Sequence, residues 1–450
     1  MSCSAAEGFC GEATLRATRM WAARSQGFNF REMNRDLVHF MVPYYLALAP
    51  GNSDKKSCVF LTLALGSPCA GRELAEMLAV FLTLAATTST TSTTNGLYER
   101  LPRNDLYELD SHWSPQLPPG AHTFSAVGIS YPLVFITQRG NASLPPVLVI
   151  NASTGALVGA WGADAVAHTT TAPSTWGAHG VAVETCSSPC TSGSAPTTRV
   201  FVEDFTGHTV TAFDSDGRSL FQLGTPGVAG NGTDPLQFGN VADAAIASAT
   251  TLPFAMLYFS DGDGGSANRV VAYAVPPPGT LPGKVRWATP AGTYSDPHSI
   301  ALHQRTGLLV VANRGMNETR LLRASDGTDL GVLNCGFHFG SQGKGTPFGV
   351  RTLEGGGWDL LFVAAMDNPQ DSRNQRILVV DASGLDASGA AKSTCDVVQE
   401  IGIPTSYSGP HLLGIDTATG ELYAALVADS PRSTVLRFRM RCWGQGRRMC

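Results

Sequence analysis

The sequence predicts an all-β chain folded as a six-bladed β-propeller, preceded by an N-terminal segment of a different kind. Three observations carry this. One pattern of short strands and Gly/Asp turns recurs six times between residues 104 and 440. The 49 glycines and 27 prolines among 450 residues suit a turn-rich chain and disfavour long helices. Hydrophobic residues make up 43% of the chain, enough for a large core, so global disorder is excluded.

In order, the copies begin with FSAVGISYPLVFITQRG (124–140), followed by VLVINASTGALVGAW (147–161). The second runs from HGVAVETC to SLFQLG (179–224), and the third from NVADAAIAS to RVVAYAV (240–275). The fourth spans 298–333, the fifth 348–384 and the last 411–439. With Val127, His179, Val241, His298, Phe348 and His411 as equivalent starts, the copies are spaced by 50 to 63 residues. That length holds about four short strands, one propeller blade. Stacked sandwich domains would not be expected to repeat a single signature six times.

The flanks read differently. Apolar runs at Cys58 to Leu65 and Met77 to Ala86 fall short of the ~20 residues of a membrane-spanning helix. The second run passes into a Thr/Ser tract, the layout of a signal peptide beginning at Met77. Residues 1–76 are therefore expected to be a leader or gene-model extension, and 77–103 a signal-like run and linker. Residues 104–440 are the propeller and 441–450 a basic tail. Only 15% of residues are charged, and the net charge of −5 leaves no footprint for nucleic acid. None of the ten cysteines forms a Cys-x-x-Cys pair, and Asn-x-Ser/Thr sequons stand at Asn141, Asn151, Asn231 and Asn317. Together they point to the secretory pathway.

The innermost strand of each blade lines the central channel. HGVAV, HSIAL and HLLGI stand at the same place in blades two, four and six, so His179, His298 and His411 are expected to converge on the axis. Three imidazoles with an open fourth position are the ligand set of a catalytic zinc, and zinc is the cofactor expected here.

At these residues the chain resembles the NHL-repeat propellers, which include the peptidyl-α-hydroxyglycine α-amidating lyases. Trp-Gly-Ala-His179-Gly, Asp-Pro-His298-Ser and Gly-Pro-His411-Leu match the family's zinc motifs, and SDGDGG (260–265) is equally specific. The lyase yields a peptide amide and glyoxylate, using zinc, an arginine on the substrate and a tyrosine base. The resemblance implies a catalytic or substrate-anchoring role for Arg139, in TQRG, and substrate anchoring for Arg314, in VANRG. The alternative for each arginine is a structural pair with a blade-turn carboxylate, the reading favoured for Arg314. Asp263 follows Ser260-Asp261-Gly262 where the lyase has its tyrosine, and is the base this chain offers in its stead. Leu412 follows the third histidine where the lyase has an aspartate linked to calcium, so calcium does not carry over. A secreted branch of the family implies a Cys335–Cys395 disulfide, whereas Cys186 and Cys190 could close a small loop. Two readings result. One is a zinc lyase acting on peptidyl-α-hydroxyglycine or a related small α-hydroxy acid; the other is a non-catalytic, metal-stabilised propeller that binds a ligand or a protein partner.

Overall fold

The computed structural model describes residues 106–441, apart from 170–171, 186–197, 248–254, 276–282, 336–338, 341–343, 367–374 and 428–432. The segments expected over 1–103, the tail beyond Arg441 and the cysteines at 186 and 190 lie outside the described residues. Among the described residues, no helix is long and apolar enough to cross a membrane.

The first strand, β1 (Tyr107–Leu109), precedes the repeats. Blade one is β2 (Phe124–Ser130), β3 (Leu133–Gln138), β4 (Val147–Asn151) and β5 (Leu157–Trp161). Blade two is β6 (Ala178–Thr185), β7 (Thr198–Asp204), β8 (Thr209–Asp214) and β9 (Ser219–Gly224). Blade three is β10 (Val241–Ala247), β11 (Ala255–Asp261), β12 (Arg269–Val275) and β13 (Lys284–Ala288). Blade four is β14 (Pro297–His303), β15 (Leu308–Asn313), β16 (Glu318–Arg323) and β17 (Asp329–Val332). Blade five is β18 (Thr346–Gly355), β19 (Trp358–Met366), β20 (Arg376–Gly384) and β21 (Thr394–Gly402). The sixth is β22 (Pro410–Ile415), β23 (Leu422–Leu426) and β24 (Val435–Met440), completed on its outer edge by β1. All six sheets are antiparallel meanders, and the inner strands β2, β6, β10, β14, β18 and β22 neighbour one another in a closed ring.

Strand sequence follows radial position. The second strands, such as AMLYFSD in β11 and LLVVAN in β15, are buried throughout because blades cover both their faces. Outer strands such as LVGAW in β5 are mostly exposed. The core is a set of layers between neighbouring blades. Phe135 and Val149 of blade one meet Val181 and Phe213 of blade two, and Leu257 and Phe259 of blade three meet Phe201 and Val210 of blade two.

Two devices hold the ring. β1 pairs antiparallel with β24, Tyr107 opposite Met440 and Leu109 opposite Phe438, so residues from the two ends of the propeller share a blade. Arg437 reinforces the closure, donating to Asp110 Oδ2 and, at 2.7 Å, to the Ala152 carbonyl of blade one. The expected Cys335–Cys395 disulfide is present and joins the segment after β17 to β21 of blade five. It closes a separation of 60 residues, which by loop entropy stabilises the fold by about 4 kcal/mol.

Each inner strand also carries a bulge near its start, read as a register shift against its partner. In a bulge one residue is left unpaired and re-aimed. Here the residues skipped by the register are Ser125, His179, Ala242, His298 and Phe348, with His411 and Leu412 in β22. The equivalent positions in blades one and three are thus Ser125 and Ala242, not the Val127 and Val241 expected from sequence. A bulge shifts register without marking the pattern of apolar residues, which is why the sequence alignment slips there. Gly180 follows one bulge, and a Cβ on it would lie 2.6 Å from the Ala242 carbonyl of the next blade. Glycine is thus what lets the inner strands close up.

Candidate metal centre

The bulges turn His179, His298 and His411 onto the axis. Their ring centroids are 4.9, 4.8 and 4.7 Å apart, and their ligand atoms all lie within 4.8 Å of one another. All three are buried. Each Nδ1 lies 2.7 Å from the carbonyl of the bulged residue in the next blade: Ala242 for His179, Phe348 for His298 and Ser125 for His411. The contact is therefore the same in all three imidazole blades. A carbonyl only accepts, so each Nδ1 carries a proton, which leaves Nε2 as the atom that can ligate a metal.

The histidine Nε2 atoms have little else to bond. Those of His179 and His298 are buried and without an aligned hydrogen-bond partner. Burial, followed by the Arg314 guanidinium, holds His298 well below the usual histidine range; burial followed by His179 does the same for His411. A divalent cation binds imidazoles in the neutral form, the form that burial favours for His298 and His411. The donor set fits zinc, and His179, His298 and His411 are the residues that would hold it.

Around this centre stand the other residues singled out from sequence. Asp263 lies in the turn after β11, its Oδ2 3.0 Å from His179 Nε2 and its Oδ1 3.8 Å from His298 Nε2. Its backbone is fixed by Asn240, which accepts from the Asp263 N–H at 3.0 Å and donates to the Asp263 carbonyl at 2.8 Å. Burial works against ionisation of Asp263, but the two imidazoles and Arg314 hold its carboxyl well below the usual range. Arg314 opens a short 3-10 turn, Arg314–Met316, and donates to Asp263 Oδ1 at 2.8 Å and to Asp296 Oδ2 at 2.8 and 2.5 Å. Its guanidinium also lies 5.0 Å from the Phe348 ring centre, over a ring that packs against His298. Arg314 thus makes the carboxylate pairs that were one of its two expected roles. Arg139 follows β3, is half-buried, and stacks 4.4 Å over Phe205, a ring set edge-on to His179. Its charge reaches His411.

Leu412 is fully buried in the inter-blade core, as an apolar residue at that position should be. Asn151 ends β4 and the other sequon asparagines lie outside strands; Asn231 and Asn317 are exposed, Asn141 and Asn151 partly so. Phe205, Asp296 and the three accepting carbonyls were not singled out from sequence, and Phe348 was named there only as the start of the fifth copy. Asp296 stands two residues before His298, so proximity to the motif was the signal available; the carbonyls leave none.

No family model matches the chain. NHL repeat-containing protein 3 of Mus musculus and that of Homo sapiens are each 30% identical to it over 332 residues, 71% of this chain and 81% of theirs. A luciferin-regenerating enzyme aligns with a TM-score of 0.40 at 10% identity, over 74% of this chain and 94% of its own. U3-55K aligns with a TM-score of 0.40 at 12% identity, over 72% of this chain and 83% of its own.

Proposed function

Since the chain belongs to the NHL repeat-containing protein 3 family, we propose that it is a secreted, zinc-binding propeller whose metal holds together the channel mouth and presents it to a ligand. One observation carries this reading: three buried imidazoles, each oriented by the next blade's carbonyl, aim their Nε2 atoms at one point. Bound there, zinc supplies a Lewis acid and a tether between blades two, four and six. Imidazole donors suit several transition metals; zinc brings no redox chemistry and takes a tetrahedral set readily. Location in the secretory pathway is supported by the Cys335–Cys395 disulfide and by the exposed or partly exposed sequons.

The first test is metal analysis of the full chain and of His298→Ala. One zinc per wild-type chain, absent from the variant, supports the reading; wild-type protein purified with zinc yet holding none overturns it.

A second reading, lyase chemistry on a peptidyl-α-hydroxyglycine, is favoured by one observation, the half-buried Arg139 beside the cluster. In that reaction the substrate hydroxyl loses its proton, its C–O becomes the C=O of glyoxylate, the C–N bond breaks and the amide nitrogen takes a proton. A base is needed. Asp263, paired with Arg314 and held low in pKa, is a poor one at neutral pH. Glyoxylate release by wild type but not by His298→Ala would establish the lyase; zinc bound without release leaves the binding propeller.

A further inference from the structure

We propose that Asp263 is the fourth ligand of the metal held by His179, His298 and His411, and that Arg314 is the positioning residue that holds its carboxylate in place. This rests on the metal-binding reading above and adds what fills the fourth position.

His179 Nδ1 donates to the Ala242 carbonyl, so in the neutral ring Nε2 is an acceptor. Asp263 Oδ2, also an acceptor when ionised, lies 3.0 Å from it without hydrogen-bond alignment. With the imidazole neutral, as metal binding requires, a cation placed between the two atoms makes that 3.0 Å approach one of shared coordination. The same carboxylate approaches a second buried, unpartnered Nε2, that of His298, at 3.8 Å.

Geometry agrees. Zinc–ligand bonds of about 2.0–2.1 Å set neighbouring ligand atoms of a tetrahedral ion roughly 3.3 Å apart. Asp263 Oδ2 lies 3.0 Å from His179 Nε2, close to that value. The histidine atoms, within 4.8 Å of one another, need only draw inward.

The carboxylate is also held as a ligand should be. Oδ1 accepts from Arg314 at 2.8 Å, while Oδ2 is the oxygen nearest His179. Arg314 is itself fixed by Asp296, whose Oδ1 accepts from the Gly264 N–H at 2.9 Å, next to Asp263 in the chain. One oxygen on the metal and the other on a fixed guanidinium is a common way for a protein to orient a carboxylate ligand. A site so filled is closed, as structural zinc sites are, whereas catalytic sites keep a position for water or substrate.

The test uses the full chain loaded with cobalt(II), whose visible bands report its coordination, beside zinc titration by chelator competition. Wild-type bands are expected to stay unmoved on addition of thiocyanate. In Asp263→Ala and Asp263→Asn the position opens, so thiocyanate should shift the bands. Zinc affinity should fall by more than about 100-fold in Asp263→Ala and by about 10–100-fold in Arg314→Ala, the range for loss of an outer-shell partner. Thiocyanate shifting the wild-type bands as it shifts the variants', or an Asp263→Ala affinity within about threefold of wild type on the same scale, overturns the assignment while the metal reading stands. Wild-type protein showing no cobalt bands defeats the metal reading itself, and the assignment with it. If Asp263→Ala fails to fold, Asp263→Asn and the wild-type thiocyanate result decide.

Discussion

Glu203, on β7, is fully buried, and neither of its carboxyl oxygens has a hydrogen-bond partner. Burial, helped by the charge of Asp243, raises its pKa well above the ordinary value of 4.5, although Arg351 pulls the other way. Below that ordinary value the group is protonated in both folded and unfolded chains, and its contribution to stability is fully present. As pH rises past 4.5 the unfolded chain ionises while the fold keeps its proton, and stability falls by up to about 1.4 kcal/mol per pH unit. Glu203→Gln removes this slope. The variant should be more stable than wild type at pH 7.5, the gap closing toward pH 4.5, by urea unfolding at both values. Equal slopes for the two proteins would refute it. At this scale the three histidines were legible because their motifs recur at matching places in alternate blades. Their carbonyl partners were not, since any residue has a carbonyl and only the bulge at Ala242, Phe348 and Ser125 turns it toward the neighbouring ring.

Among elements, the least legible was β1. It is three residues long, Tyr-Glu-Leu, with no periodicity to read, and it pairs with a strand over 300 residues away in sequence. The six-fold repeat needed no such pairing to be seen, because each meander carries its own local pattern of buried strands and turns. Ring closure nevertheless depends on β1, and Arg437 is its clasp. The Arg437–Asp110 pair is mostly buried, at 11% and 2% exposure, so removing one partner leaves a charge without its counterion. Arg437→Ala should cost about 3 kcal/mol, lowering the melting temperature by about 6 °C at ~2 °C per kcal/mol for a domain of this size. Burial acts to raise the Asp110 pKa, but bonds from Arg437 and the His112 N–H bring it below 3.8. Its stabilisation is therefore present above pH 3.8 and lost as pH falls through and below that value. Asp110→Asn should melt lower than wild type at pH 7, with a difference that shrinks in acid. A difference that persists undiminished in acid would mean that the side chain acts by packing alone.

For the whole molecule, the question is how six similar blades are kept in one ring. Inter-blade apolar layers join each blade to the next, β1 joins the ends and the disulfide joins blades four and five. A metal on His179, His298 and His411 acts differently, because it ties alternate blades together at the axis. An ion that binds only the folded ring stabilises it by mass action, about 2.7 kcal/mol when free zinc is 100-fold above its dissociation constant. Chelation should thus lower the wild-type melting temperature by about 5 °C and leave His298→Ala unmoved. Cys335→Ser should remove about 4 kcal/mol whether or not metal is present. The disulfide sits between outer strands and the histidines on inner ones, without shared partners, so the two losses should add within ~0.5 kcal/mol. Calorimetry of wild type and Cys335→Ser, each with and without chelator, decides it. Additive losses mean that axis and rim brace the ring independently. A chelator effect that disappears in Cys335→Ser would mean instead that blades four and five must first be locked together before His298 can reach the metal.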